Sequence, residues 1–196
     1  MTKPPIHAMP LNFATILTLG RIVLIPVLVA LFYLPWEWTH RAASMVFLAA
    51  ALTDWLDGWV ARRFDQASTF GAFLDPVADK LMVAVALLLV LQRDPHPWLA
   101  IACAIIIGRE ISISALREWM AELGNSALVR VGGLGKLKTI VQMTALTMLL
   151  WRDNLWLLPI YTIGMVLLAV AAVLTLWSAG QYLRAAWRVV NLPGQG

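Results

Sequence analysis

Six stretches of this sequence run with little charge for about 18 to 25 residues each, the length that carries a helix across ~30 Å of hydrocarbon. Inside a bilayer no water is present to satisfy a backbone amide, so a spanning stretch must be a helix or a strand of a closed barrel. The runs lack the strict apolar and polar alternation of strands, which selects helices. They fall near 16–34, 41–60, 75–91, 98–116, 137–151 and 158–183. The prediction is an all-α, polytopic membrane protein with six transmembrane helices.

Composition agrees. Of the 196 residues 61% are hydrophobic and 13% charged, so a water-soluble fold would be left with large exposed apolar patches that a bilayer instead accepts. The connecting turns are short and none reads as a linker, so 1–196 is expected to be a single membrane domain, with 1–11 a flexible tail and 184–196 a C-terminal tail. Pro4, Pro5 and Pro10 break the chain before Asn12. No small-residue cleavage site closes the first apolar run, so that run is expected to be retained as a span rather than removed. Cys103, the single cysteine, lies in an apolar run and reads as packing.

If both termini face the cytoplasm, twelve of the fifteen basic residues fall on that side and only Arg41, Arg93 and Arg152 lie opposite. That is a strong positive-inside bias. The net charge of +4 then serves orientation and contact with anionic lipid, and no nucleic-acid partner is expected. Trp36, Trp38, Trp98, Trp151 and Trp156 cluster at the expected outer ends, where indole rings favour the interface.

Between the second and third spans the chain reads DWLDGWVARRFDQASTFGAFLDPVADK from Asp54 to Lys80. An ionised carboxylate at membrane depth costs about 2.5–3.5 kcal/mol on insertion scales, so four acids at the ends of two apolar helices require a compensating cation or protonation. Asp54 and Asp57 are three apart, Asp75 and Asp79 four apart, and each pair therefore projects from one face of its own helix. A short connection, 63–74, makes the helices antiparallel neighbours and brings the pairs toward each other. Four converging carboxylates describe a hard-cation site for magnesium or manganese, with charge enough for two ions; zinc would prefer His or Cys, which the stretch lacks. Gly58 and Ala61 remove bulk beside the acids, so that a base or diphosphate can approach the backbone, and Arg62 can pair with phosphate. Gly71 punctuates the loop, and Asp75 followed by Pro76 is the expected start of the third helix.

Written as a pattern, Asp54, Asp57, Gly58, Ala61, Arg62, Gly71, Asp75 and Asp79 give DxxDGxxAR, eight residues, then GxxxDxxxD. This resembles the signature of the CDP-alcohol phosphatidyltransferase family at every fixed position. The resemblance implies a six-helix fold, usually homodimeric, with its active site open to the cytoplasmic membrane surface. It implies transfer of a phosphatidyl group from a CDP-linked lipid to an alcohol, with Asp54, Asp57 and Asp75 as metal ligands. Asp79 would complete the metal site and act as general base, and Gly58, Ala61 and Arg62 would line the nucleotide site.

Two further features bear on the substrates. Asn12, Thr15, Thr18 and Arg21 recur every three residues on an otherwise apolar helix, a polar stripe that should face protein or ligand rather than lipid. The resemblance makes the stripe part of the CDP-lipid pocket; helix capping and interhelical hydrogen bonds are the alternative. The second feature, IGREISISALREWMAELG from Ile107 with GKLK from Gly135, brings Arg109, Arg117, Lys136 and Lys138 to the cytoplasmic side as a candidate pocket for an acceptor phosphate. Glu110 and Arg117, seven apart, share a helix face, so their simple pairing is one alternative to that pocket, and snorkelling basic residues at helix ends are another. With the LTLGRIVLIPV opening from Leu17, this segment resembles family members that take sn-glycerol 3-phosphate as acceptor and CDP-diacylglycerol as donor in phospholipid biosynthesis. The aspartate motif alone leaves inositol phosphate, serine or phosphatidylglycerol open as acceptors. A cation-coupled transporter is the rival from another class, although it would put its acids near mid-membrane rather than at helix ends.

Overall fold

The computed structural model describes the backbone of residues 13–64, 69–122 and 133–190. Within these helices the side chains at 13–15, 54–64, 69–73, 121, 133, 134, 136, 185, 186 and 188–190 lie outside the described set. Six helices account for nearly all of it: α1 (Phe13–Tyr33), α2 (Thr39–Phe64), α3 (Thr69–Arg93), α4 (Pro97–Glu122), α5 (Gly133–Trp151) and α6 (Ile160–Val190). No strand is present among the described residues, as the apolar runs require. The chain divides into two compact units, residues 1–89 and 90–196.

In the first unit α1 packs on α2. Leu28 of α1 is buried, as are Ala43, Phe47 and Ala50 of α2, at helical spacing. Ala78, Met82 and Ala86 recur every four residues as the buried stripe of α3. Ile16, Leu19, Val23 and Val27 line the opposite, exposed side of α1. A large apolar face without a protein partner is costly in water and costs nothing against lipid tails.

In the second unit α6 packs on both α4 and α5. Leu168, Ala171, Ala172, Thr175, Ser178 and Tyr182 form its buried face, while Val166, Val170, Val173, Leu176 and Trp177 are exposed. At Gly164 α5 and α6 approach closely: a Cβ there would stand 3.0 Å from the Met148 Cβ, 3.1 Å from the Leu149 Cγ and 3.2 Å from the Ala145 carbonyl oxygen. Close approach at small residues is how membrane helices gain dispersion energy when no hydrophobic effect separates them from lipid. The α5–α6 connection is a tight turn closed by two backbone hydrogen bonds between Leu155 and Leu158, of 3.2 and 3.0 Å, with Trp156 at a φ of 57°.

Ile16–Tyr33, Pro97–Met120 and Ile160–Arg184 are long and apolar enough to cross a membrane, with mean hydropathies of 2.3, 1.9 and 2.2, and Leu137–Trp151 is a shorter apolar helix. The protein is thus a multi-pass membrane protein. Trp36 and Trp38 stack at 5.7 Å and remain half-exposed, as side chains at a lipid interface do. At the α3–α4 turn Asp94 accepts a hydrogen bond from the Tyr161 hydroxyl and lies 3.0 Å from His96 Nε2, which fastens the turn to the first residues of α6.

One expectation is corrected. Asp75 and Pro76 do not begin the third helix, because α3 already starts at Thr69 and both residues lie inside it. Proline removes one amide donor, to the carbonyl four residues earlier, yet helices in membranes continue through it when neighbours satisfy the freed group. Pro26 in α1 is a second instance. The interhelix connection is correspondingly shorter than the predicted 63–74, and its residues 65–68 lie outside the described set.

Candidate active site

The first unit carries the acids. Asp75 and Asp79 stand one turn apart on α3, so both carboxylates project from one side, and both are part-buried. Across from them α1 supplies Thr18, with no exposed surface, whose hydroxyl donates to Asp75 Oδ1. A carboxylate held this way has one oxygen oriented and the other left for a further partner. Arg21, one turn after Thr18, is only 2% exposed. Thr18 and Arg21 therefore face protein, as the polar stripe requires. Thr15 lies in α1 with its side chain outside the described set, and Asn12 lies outside the described residues.

Asp54, Asp57, Gly58, Ala61 and Arg62 lie on α2 and Gly71 lies on α3, their helical backbones described and their side chains not. The three-residue spacing puts Asp54 and Asp57 on one side of α2, as expected. Convergence of all four carboxylates thus falls outside the described side chains, among which no three Asp, Glu, His or Cys groups gather into a metal-sized cluster. Asp75 and Asp79 offer only hard oxygen donors, a set that fits magnesium or manganese and not zinc.

The second unit carries a buried charged cluster. Lys138 of α5, 3% exposed, donates to Glu110 Oε1 of α4, and Arg109 Nη1 reaches the same oxygen at 3.2 Å. Arg109 Nη2 donates to Ser178 Oγ of α6 at 2.7 Å. The Arg109 and Arg117 guanidinium carbons stand 5.5 and 5.7 Å from the centroid of the Tyr182 ring. Lys138 also feels the charge of both guanidiniums. Among the described side chains of the cluster, Arg109 and Lys138 share the carboxylate while Arg117 stands on the Tyr182 ring, which leaves two positive charges in excess in a poorly hydrated place. The Nε atoms of Arg109 and Arg117 are buried with no hydrogen-bond partner among the described residues. Burial of this kind rules out snorkelling for Lys138.

The partners of Glu110 are not read from spacing along α4 alone. Glu110 pairs with Arg109 and Lys138, whereas Arg117 turns to Tyr182, because the approach of α5 and α6 outweighs the seven-residue spacing along α4. The Lys136 side chain lies outside the described set. Beside the cluster a cavity of about 550 Å³ opens between α4 and α6; its walls are apolar save for Arg109 and Ser112, so it flanks the charged site rather than forming it.

Ser178 and Tyr182 were missed in the sequence because α6 reads as one long apolar span. A signal existed: Thr175, Ser178 and Tyr182 are three and four residues apart and mark one polar-edged face.

The first unit thus holds a carboxylate pair steadied by a buried threonine and the second a buried cationic cluster, and the chain belongs to the CDP-alcohol phosphatidyltransferase family, whose sequence profile matches residues 11–177. More particularly, it is 54% identical over 178 residues to the CDP-diacylglycerol--glycerol-3-phosphate 3-phosphatidyltransferases of Shigella flexneri serotype 5b (strain 8401) and Escherichia coli (strain K12). It is 53% identical to that of Salmonella choleraesuis (strain SC-B67), and each match covers 91% of this chain and 96% of the relative.

Proposed function

We propose that the protein transfers the phosphatidyl group of CDP-diacylglycerol to sn-glycerol 3-phosphate, giving phosphatidylglycerol phosphate and CMP in phospholipid biosynthesis. The relatives named for this reaction, similar along nearly their whole length, support the reaction and the enzyme class. The structural observation that carries the acceptor assignment is the buried cluster of Arg109, Arg117 and Lys138 around Glu110. Its two surplus positive charges match a phosphate monoester, which bears about −1.5 to −2 at neutral pH. Serine or another acceptor without a phosphate monoester would leave those cations uncompensated. Lys136 belongs to the same acceptor pocket in this reading.

The remaining roles follow the chemistry. Asp79 takes the proton of the acceptor hydroxyl, the freed oxygen attacks the lipid-side phosphorus in line, and CMP leaves. Asn12, Thr15, Thr18, Arg21, Gly58, Ala61, Arg62 and Gly71 line the CDP-lipid site, the glycines and alanine by admitting close approach and the arginines by pairing with phosphate. Divalent-metal dependence is general in the family, and Asp54, Asp57, Asp75 and Asp79 would hold Mg2+ or Mn2+, in our reading two ions. Bound metal supplies charge neutralisation to the diphosphate and the departing CMP. Thr18 orients the Asp75 carboxylate for that duty. The enzyme works as a homodimer in the bacterial inner (plasma) membrane, with its active site toward the cytoplasm, an orientation supported by twelve of the fifteen basic residues falling on that side.

Purified protein given CDP-diacylglycerol, magnesium and radiolabelled glycerol 3-phosphate should form labelled lipid and release CMP in equal amount. Incorporation of labelled inositol phosphate or serine in its place overturns the acceptor assignment. Full activity in excess chelator overturns the metal role.

A further inference from the structure

We infer that Tyr182, with Ser178 one turn before it, is the positioning residue of the acceptor pocket: its ring sets where Arg109 and Arg117 stand so that both guanidiniums can meet one phosphate. This rests on the reading of that cluster as the acceptor site.

Two guanidiniums brought together at a poorly hydrated site repel each other, and long flexible side chains escape repulsion by swinging apart. Something must hold them; Glu110 pairs with Arg109 and Lys138, and it is Tyr182 that reaches both arginines. The ring of Tyr182 lies under both, at 5.5 and 5.7 Å, where its negative face attracts each cation. The ring itself has little freedom. Tyr182 is 8% exposed and packs with Ile113 and Met120 into a core flanked by Leu116 and Ala179. Ser178 acts on the same side of α6: it donates to the Thr175 carbonyl at 3.1 Å, which turns its oxygen lone pairs outward, and it accepts from Arg109 Nη2 at 2.7 Å. Arg109 is thus fixed from three directions by Glu110, Ser178 and Tyr182. Arg117 is fixed by the ring, and each arginine retains a buried Nε without a hydrogen-bond partner among the described residues. An arriving phosphate finds these donors already oriented, which spares the entropy of ordering two long side chains on binding. A tyrosine that merely filled space would touch the apolar core and leave acceptor affinity alone.

The test measures kcat and KM separately for glycerol 3-phosphate and CDP-diacylglycerol, with purified full-length protein in detergent. Tyr182→Leu keeps the apolar packing and loses the π face. It should raise the acceptor KM roughly tenfold, equivalent to about 1.4 kcal/mol. The donor KM and kcat should stay within about twofold of wild type. Tyr182→Phe restores the ring and should return the acceptor KM most of the way; Ser178→Ala should raise it by roughly threefold. An unchanged acceptor KM in Tyr182→Leu, an equal loss with Phe, or a fall confined to kcat refutes the positioning role. If Tyr182→Leu does not fold, Ser178→Ala decides alone, a raised acceptor KM supporting the role and an unchanged one refuting it. Arg117→Gln separates the two levels. If it leaves the acceptor KM unchanged, the acceptor pocket itself is wrong; if it raises that KM while Tyr182→Leu does not, only the role of the ring falls.

Discussion

Replacing Glu110 by glutamine removes the one carboxylate shared by Arg109 and Lys138, and the structure indicates the cost. Side-chain exposure is 3% for Lys138, 8% for Arg109 and 24% for Glu110, so water screens the cations poorly and the carboxylate only in part. Two hydrogen bonds to a charged acceptor contribute about 1.5–3 kcal/mol each in general. Glutamine keeps one acceptor oxygen, and the partial exposure of Glu110 discounts the remainder, so a net loss of about 2–4 kcal/mol is expected. Most of it reflects cations left unpaired rather than the bond itself. The measurement is reversible unfolding in mixed micelles titrated with a denaturing detergent, for wild type, Glu110→Gln, Lys138→Met and the double variant. Because removing Lys138 relieves the charge that Glu110→Gln strands, the double variant should be more stable than additivity predicts by about 1.5 kcal/mol or more. A second cycle with Arg117→Gln should couple more weakly, since Arg117 faces Tyr182. An additive Glu110/Lys138 cycle, or a Glu110→Gln protein as stable as wild type, would refute the shared-carboxylate arrangement.

Further expectations follow from other contacts. Thr18→Val deletes the hydroxyl that orients Asp75 and should raise the magnesium concentration for half-maximal activity by about 10- to 100-fold, the usual cost of losing a group that steadies a metal ligand; an unchanged metal titration contradicts it. Asp79→Asn should lower kcat by roughly 10²- to 10⁴-fold while CDP-diacylglycerol still binds, as judged by ligand-induced thermal stabilisation; loss of that binding would make Asp79 chiefly a ligand. Gly164→Leu drives a branched side chain into Met148 and Leu149 and should destabilise the detergent-solubilised protein by about 1–3 kcal/mol or more, whereas Gly20→Leu, with nothing within 4 Å of a Cβ, should not; equal effects would show that the α5–α6 approach is looser than described.

The number of helices was legible because membrane depth imposes one length and one backbone solution on every span. The ends were less so. Nothing local marks Thr69 rather than Asp75 as the start of α3, since an acid followed by proline looks like a cap; only the tolerance of membrane helices for internal proline lets α3 run on. The acids and the Thr18 and Arg21 stripe stood out because polar groups in apolar surroundings need a cause. Pairing within the basic cluster was not legible: spacing along α4 allowed Glu110 with Arg117, while the choice of Lys138 and Arg109 depends on how α5 and α6 meet α4. Ser178 and Tyr182 were hidden for the same reason, being unremarkable residues in an apolar helix until two arginines are brought to them.

The tight Leu155–Leu158 turn and the close seat of Gly164 also bear on how the protein is made. Helices α5 and α6 follow each other in the chain with eight residues between them, so closing their contacts requires little loop entropy, and they can meet as soon as both have left the ribosome. Order of synthesis and order of assembly coincide for this pair, and α6 is the helix that aligns the charged residues of the two before it.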